Sequence, residues 1–405
     1  MQYFVFIFAA LISLVDSAIV IQYDTNGQSF FSLNNAPVIP RGSNYMRLRN
    51  ASHHILFEPT LYHQWDVDSA LREMNSFGYN YVRVFLECET LIRGFNLSSP
   101  GLPMNYTINV IDFLLRAANY NLSVMLTSSW NPANYQSIVD SYPRPANLSG
   151  VNEIVFHPGQ AAAKAQFFID LLQQIRNTSS TALETIFAID IFNEISISVH
   201  SLPFSLTSGI VIYRDTAYDM ANGTERQLLL DTASNIWMNI SAIAIKSIAP
   251  SILVTASLFS PTVVGHKGFD GVQNRPPNAD PRYPLRPGCL VNSLADYIDV
   301  HIYAGPDPQG DMAGAAIPRT KPILMGETGT YKPWYKNISI AAQTIKTVMI
   351  ESLDFGYTGW GIWNWNTVEQ LTFWTLTEQN NTLNNVLSPK VWPIVKSENS
   401  LVAIE

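Results

Sequence analysis

The chain has few cysteines, few charges and no long hydrophobic run. Its 405 residues include only 2 cysteines, Cys88 and Cys289, and their spacing leaves open whether they pair. Neither the cysteines nor the 7 histidines show the spacing of metal ligands. We therefore predict no metal site and no cofactor.

The low charge excludes one class of partner. The sequence has 24 basic and 32 acidic residues, a net charge of -8 and no Lys/Arg cluster. Nucleic acid is therefore not an expected partner. Charged residues make up only 14% of the chain, whereas 47% is apolar, so the chain can bury a sizeable core but is short of solubilising charge for an intracellular protein. Glycans attached to the surface would supply that solubility.

The N-terminus is typical of a secretory signal peptide. The apolar run from Val5 to Val15 is too short to span a bilayer, and the small residues Ser17 and Ala18 follow it. The first four residues contain no Lys or Arg, so a buried strand is the alternative reading. We predict that residues 1–18 are a signal peptide and that the mature chain is secreted or lies in the lumen of the secretory and lysosomal pathway. No membrane anchor is expected.

Sequons for N-glycosylation support the same route. Ten Asn-x-Ser/Thr sites begin at Asn50, Asn96, Asn105, Asn121, Asn147, Asn177, Asn222, Asn239, Asn337 and Asn380. This number exceeds what chance would supply, so the sequence predicts a glycoprotein.

Strand-like and helix-like segments alternate along the mature chain. The strand-like runs are 38–45, 79–86, 122–127, 185–192, 252–256, 297–303, 322–326 and 356–363, and the clear helical segments are 67–77, 107–119, 160–176, 225–248 and 338–355. Eight such runs predict an α/β fold, a single (β/α)8 TIM barrel over residues 19–405. The segments 260–287 and 305–318 are rich in Gly and Pro and are predicted to be long loops.

A hairpin precedes the first strand-like run. Ile19 to Tyr23 and Ser29 to Leu33 flank the turn sequence Asp24-Thr25-Asn26-Gly27. We expect residues 19–37 to form a short N-terminal β-hairpin cap on the barrel floor. No internal repeat or charge run indicates a second domain, and we expect a monomer.

Two acids mark the candidate active site. Glu194 follows Asn193 after one strand-like run, and Glu327 closes another. Because the carboxyl ends of all strands in a parallel barrel open on one face, the two carboxyl groups are expected to meet there. A retaining glycosidase uses such a pair, one carboxyl as proton donor and one as nucleophile, about 5 to 5.5 Å apart.

Other strand ends carry groups that suit a sugar site. Arg83 is a cation in an apolar strand and needs a carboxylate partner, for which Glu327 is the candidate. His301 and Tyr303 alternate with apolar residues and therefore face the same side. Flat aromatic faces on which sugars stack are offered by Trp130, Trp363 and Trp365, and Asn193 can bond a sugar hydroxyl.

Each of these residues also has a purely structural interpretation. Glu194 could be an acid at a helix N-terminus, and the Gly-Glu-Thr-Gly run around Glu327 could be a simple turn. Arg83 could serve a structural ion pair, and the remaining polar and aromatic residues could be core. Their joint occurrence at successive strand ends favours a site.

With these motifs in order, the sequence resembles the family 5 glycoside hydrolases and their clan A relatives over nearly all of the mature chain. Residues 30–44 are similar to the family's approach to its first strand. The resemblance matches Arg83 to the second-strand arginine, Asn193 and the acid/base Glu194 to the fourth-strand pair, His301 and Tyr303 to the sixth-strand His-x-Tyr, Glu327 to the seventh-strand nucleophile, and Trp363 to the eighth-strand tryptophan. It implies a (β/α)8 barrel that cleaves a β-linked glycan with retention.

Two positions depart from the family pattern. Ile195 stands where proline usually follows the acid/base Glu, and the run Thr127-Ser128-Ser129-Trp130 lacks a histidine that many members have. The segments around Trp130 and Glu194 look nearer to endo-β-mannanases than to cellulases, so β-mannan and β-glucan are both candidate substrates. A catalytically silent secreted barrel that binds glycans or a protein partner is the alternative function, and an inverting hydrolase is the alternative mechanism.

Overall fold

The structure is a computed structural model that describes residues 19–50, 53–266, 268–275, 280–305, 307–315, 320–396 and 401–403. The predicted signal peptide, residues 1–18, lies outside the described residues. The predicted barrel is confirmed.

Eight parallel strand positions form the barrel. They are β1 (Arg41–Asn44), β2 (Tyr81–Phe85), β3 (Ser123–Thr127), β4 (Ile186–Asp190), β5 (Leu253–Thr255 and Ser257–Phe259), β6 (Ile298–His301), β7 (Ile323–Thr328) and β8 (Tyr357–Ile362). Each strand pairs with the next in parallel, and β8 pairs with β1. Nearly all residues of these strands are buried, as expected for strands covered on both faces.

The fifth strand closes the barrel in two pieces. Its first piece pairs with β4 and its second with β6, and only Ala256 separates them. This break turns the backbone of Ser257 towards the end of β4, where its amide and carbonyl bond Phe192 and Ile195. The break therefore helps to hold the loop that carries Glu194.

Helices cover the barrel wall. They are α1 (Gln64–Ser76), α2 (Met104–Asn119), α3 (Pro158–Thr178), α4 (Gly223–Ile248), α5 (Pro287–Val291), α6 (Pro308–Ala315), α7 (Ile338–Asp354) and α8 (Asn384–Leu387). Several begin at a capping side chain: Asn222 caps α4 and Asn337 caps α7 by accepting backbone N–H bonds. The five predicted helices are all present.

One predicted loop is wrong in part. The segment 305–318 contains the helix α6, which begins at Pro308, a residue that suits the first helical turn because it has no N–H to leave unpaired. The segment 260–287 is loop for most of its described length, with a 3-10 turn at Pro261–Val264 and a short strand at Arg282–Pro284.

The remaining described elements are short. Further helical turns lie at Glu89–Ile92, Gly94–Asn96, Ala133–Tyr135, Gln136–Asp140, Gly150–Asn152, Glu153–Phe156, Ser180–Thr185 and Glu378–Asn381. Small antiparallel strand pairs join Leu48–Arg49 to His53–His54, Ser196–Ser198 to Arg282–Pro284, Ile210–Tyr213 to Thr216–Asp219, and Ile394–Lys396 to Leu401–Ala403.

The N-terminal hairpin is confirmed and gains a third strand. Val20–Tyr23 pairs with Ser29–Leu33, which pairs with Ala36–Pro37. Buried Phe31 packs edge to face on Tyr297 at the start of β6, with ring centroids 5.6 Å apart. The cap thus closes the barrel at the end opposite the strand carboxyl ends.

Both cysteines are buried and free, so no disulfide bond joins Cys88 to Cys289.

Among the described residues, α4 is the one helix whose length and apolar composition would suffice to cross a membrane. More than half of its apolar window is buried, as in the core helix of a soluble protein.

Trp365 belongs to the core. Its side chain is fully buried. It packs edge to face on Tyr79, with ring centroids 5.8 Å apart, and on Phe77 at the end of α1. A residue in this position contributes through burial of its large apolar surface.

Replacing Trp365 should therefore destabilise the fold. Trp365→Ala is expected to lower the free energy of unfolding by about 3 to 5 kcal/mol, because it leaves a large cavity. Trp65→Ala is the matched control: Trp65 is 77% exposed, and its loss should change stability by less than about 0.5 kcal/mol. Urea titration followed by circular dichroism measures both, and equal stability of the two variants would contradict the core placement.

Candidate active site

The predicted acids and their partners meet at the carboxyl ends of the strands. Glu327 lies in β7, His301 ends β6, and Glu194 lies four residues beyond the end of β4. One carboxylate oxygen of Glu194, one of Glu327 and one ring nitrogen of His301 all lie within 4.8 Å of one another. They line a cavity of about 270 Å³, together with Asn193, Tyr303 and Trp363.

Glu327 is held by two donors. Arg83 Nη1 lies 2.6 Å from Glu327 Oε1, and the Tyr303 hydroxyl donates to Oε2 at 2.7 Å. Burial raises the pKa of Glu327, while positive charge on His301 and Arg83 and the Tyr303 bond oppose the rise. The His301 ring is neutral near pH 7, because burial lowers its pKa to about 4. Arg83 is therefore the cation that remains beside Glu327. Arg83 and Tyr303 therefore favour the ionised form of Glu327, whereas burial and the charge of Glu194 disfavour it.

Glu194 has a different environment. Its backbone lies in the left-handed region, at φ 53°, which is uncommon for a residue other than glycine and often occurs at functional sites. Its N–H donates to Ser257 Oγ at 3.0 Å, which holds it there. Burial of the carboxyl raises its pKa to about 7, aided by the charge of Asp190 and opposed by Arg83. Glu194 can therefore carry a proton near neutral pH.

His301 joins the two carboxyl groups. Its Nδ1 lies 3.1 Å from Glu194 Oε1 and 3.5 Å from Glu327 Oε2. The ring is fully buried, and burial lowers its pKa to about 4. A neutral imidazole adds no net charge, so it orients the two acids without neutralising either of them.

Arg83 is fully buried and joins most of the site. Beyond Glu327, its Nη2 donates to Asn193 Oδ1 at 2.7 Å and to Asp190 Oδ2 at 2.8 Å, and its Nη1 donates to Asn44 Oδ1 at 2.9 Å. Burial disfavours the charged form, but the carboxylates of Glu327 and Asp190 outweigh it and raise the pKa of Arg83. The expected partnership of Arg83 and Glu327 is present.

Two members of this network, Asp190 and Asn44, are missed by the sequence analysis. Asp190 also accepts from the Thr127 hydroxyl at 2.8 Å and from the Ser257 N–H at 2.9 Å. It therefore connects Arg83 to the loop of Glu194. A signal was available, because Asp190 is the only charged residue in its strand and a buried charge requires a partner.

Aromatic residues form one wall of the cavity. Trp363 is nearly buried, and its indole N–H donates to Gln370 Oε1 at 3.0 Å. Phe373 and Tyr331 continue this wall. The cavity is also lined by Phe259, Val263, Val264, Ser196 and Arg282, which come from the β5 end and the segments after β4 and β5. Of these wall residues only Trp363 is predicted from the sequence, because the others lie in short elements and connecting segments that have no repeating pattern.

Two of the three predicted stacking tryptophans do not line this cavity. Trp365 lies in the core, as described above, because the chain turns after Trp363 and places it behind the strand end. Trp130 is 49% exposed and contacts Phe192 edge to face. Trp130 thus lies beside the loop that precedes Glu194, outside the residues that line the cavity.

The donor set of Glu194, His301 and Glu327 is geometrically close enough to hold a metal ion. Its surroundings fit a proton-transfer pair better. Arg83 already places a cation against Glu327, and the rise in the pKa of Glu194 disfavours the ionised carboxylate that a metal needs.

No protein-family model and no curated protein matches the chain. Solved structures do match its fold. The endo-1,4-β-mannanase from Rhizomucor miehei has a TM-score of 0.59 at 14% identity, over 92% of this chain and 99% of that one. A family 5 glycoside hydrolase mannosidase from the same organism has a TM-score of 0.53 at 14% identity, over 93% and 98%.

A third match is longer than this chain. The exo-β-1,4-mannosidase Op5Man5 from Opitutaceae bacterium strain TAV5 has a TM-score of 0.55 at 14% identity, over 91% of this chain but only 58% of its own length. The comparisons therefore show that this chain has the (β/α)8 barrel fold that solved family 5 glycoside hydrolases have.

Proposed function

We propose that the protein is a secreted retaining glycoside hydrolase of the family 5 type that cleaves a β-linked glycan. The observation that carries the proposal is the approach of Glu194 and Glu327 to within 4.8 Å in one cavity, each in a different environment. Two neighbouring carboxyl groups with a cation against only one of them are an arrangement in which one can act as the acid and the other as the nucleophile.

In the first step, Glu327 attacks the anomeric carbon while Glu194 donates its proton to the leaving oxygen. The product is a glycosyl ester on Glu327 and a free alcohol. In the second step, Glu194 takes a proton from water, which attacks the same carbon and releases Glu327. Asn193, fixed by Arg83, is placed to bond the sugar hydroxyl beside the anomeric carbon.

The carboxyl separation favours this mechanism over its rivals. An inverting enzyme needs about 6.5 to 9.5 Å between carboxyl groups to admit a water, whereas a retaining pair needs about 5 to 5.5 Å. A carboxylate oxygen of Glu194 lies within 4.8 Å of a carboxylate oxygen of Glu327, and this separation fits the retaining pair. It also disfavours a silent binding barrel, since such a protein has no need of two neighbouring carboxyl groups in its cavity.

A β-mannan is the favoured substrate and a β-glucan the second candidate. Structures that share the fold include an endo-1,4-β-mannanase and an exo-β-1,4-mannosidase, and the sequence resembles endo-β-mannanases around Trp130 and Glu194. A mannan endo-1,4-β-mannosidase activity is the specific form we propose. Screening the protein against mannan, β-glucans and cellulose tests it.

Exposure of the sequons supports secretion and glycosylation. Nine of the ten sequon asparagines are exposed, so their positions are compatible with attached glycans. The exception, Asn239, is half-buried in α4. Its side chain donates to Asn235 and accepts from the N–H of Leu294. We propose that the nine exposed sites are the ones that carry glycans.

The nucleophile can be tested directly. Glu327→Gln should lower kcat by at least about 10⁴-fold, because the amide cannot form the covalent intermediate. The fold should survive, as judged by an unchanged melting temperature within a few degrees. Kinetics on a soluble mannan measure the loss, and wild-type-like turnover in this variant would remove Glu327 from the role.

The acid can be tested by its dependence on the leaving group. Glu194→Ala should lower kcat/KM for a natural polysaccharide by about 10² to 10⁴-fold. An activated aryl glycoside should lose much less in the first step, because its leaving group departs without protonation. Parallel kinetics on both substrates decide the matter, and equal losses would contradict the acid role.

The pKa of Glu194 sets the pH dependence. The acid must be protonated to act, so kcat/KM on a polysaccharide should be retained below pH 7 and fall as the pH rises through about 7. Glu327 must be ionised, and burial raises its pKa, so activity should also fall on the acid side. A pH–rate profile measures both limbs. Persistence of full activity to pH 9 would show that another group donates the proton.

A further inference from the structure

A row of aromatic rings leads out of the cavity. Trp363 contacts Phe373 with ring centroids 6.2 Å apart, Phe373 contacts Tyr331 at 4.3 Å, and Tyr331 contacts Trp334 at 4.6 Å. The first three rings line the cavity, and Trp334 stands beyond it with 45% of its surface exposed. An exposed indole at the end of such a row has no role in closing the core.

The segment that carries Trp334 is held rigidly. Tyr331 forms a β-bridge with Phe373, and the Lys332 N–H donates to the Thr372 carbonyl at 2.8 Å. The backbone N–H of Trp334 donates to the Tyr331 carbonyl at 3.1 Å. The indole N–H of Trp374 donates to the Tyr335 carbonyl at 2.7 Å. The backbone that carries the ring is therefore held in place before any ligand arrives, which lowers the entropic cost of binding.

A glycine opposite the ring allows this placement. A Cβ at Gly305, two residues beyond Tyr303, would lie 2.8 Å from Cζ3 of the Trp334 indole. Any larger residue would push the indole away from the segment after β6. The position of the ring thus depends on both segments that border the cavity.

We propose that Trp334 is a stacking platform for a sugar residue of the glycan that lies at least one unit away from the bond being cleaved. This subsite rests on the function proposed above and makes the site one for an oligomer or polymer rather than a single sugar. A glycan is the favoured occupant because the ring is continuous with the wall of the cavity, and an exposed aromatic face suits the C–H face of a pyranose ring.

The test uses binding by a protein that cannot turn over. In the Glu327→Gln background, Trp334→Ala should weaken binding of β-1,4-manno-oligosaccharides of five or six units by about tenfold, the size of effect expected for truncating a tryptophan anchor. Binding of the disaccharide should change by less than about twofold. Isothermal titration calorimetry measures both, and β-1,4-gluco-oligosaccharides serve as the second ligand series.

Two further variants separate stacking from a general loss of structure. Trp334→Phe keeps an aromatic face and should retain most of the affinity, while Gly305→Ala displaces the indole without deleting it and should weaken long-chain binding. Trp65→Ala, which removes an exposed tryptophan outside the cavity lining, should have no effect.

Unchanged long-chain affinity in Trp334→Ala would overturn the subsite while leaving the proposed function standing. Equal weakening for short and long ligands would overturn it as well, since that result marks a change at the cleavage site. Failure of the Glu327→Gln protein to bind any tested glycan would overturn the subsite together with the proposed substrate class. Loss of a dimer in Trp334→Ala, with glycan binding intact, would assign the ring to a contact between copies of the chain instead.

Discussion

The hydrogen bonds and ion pairs of the buried Arg83 guanidinium hold the other residues of the site in place. A fully desolvated cation is costly, and it persists only where carboxylates and hydrogen bonds replace its hydration. Here Glu327 and Asp190 supply the charge, and Asn44 and Asn193 supply further acceptors. The ends of β1, β4 and β7 are thereby tied to one side chain carried by β2.

This arrangement gives the two glutamates different surroundings. Arg83 touches Glu327 but not Glu194, while the charge of Asp190 acts against ionisation of Glu194. Asp299, buried below the site, accepts from the Gly326 N–H, and burial and the charge of Asp190 raise its pKa well above the usual range. Glu194 and Glu327 both line the cavity, and Glu194 is the one of the two that Arg83 does not contact.

Much of this could be read from the chain alone, because a parallel barrel obeys a simple rule. Strand-like runs predict strands, strand carboxyl ends converge, and polar residues there must meet, so Arg83, His301, Tyr303 and Glu327 were found from their positions. The helix α6 was missed because Gly and Ala gave it no amphipathic period. Trp365 was misassigned because alternation beyond a strand end does not survive the turn that follows Trp363.

Local periodicity and the cost of burying an unpaired charge act on each strand separately, so the barrel, Glu194, Glu327 and the side chains that contact them could be predicted from the sequence. The differences between the two acids, the aromatic rings of the cavity wall and the direction in which that wall continues could be seen only in the folded chain. Those properties depend on distances of a few ångströms between residues far apart in the chain. Burial, the break in β5 and the close approach at Gly305 set these distances, and none of them has a local signature in the sequence.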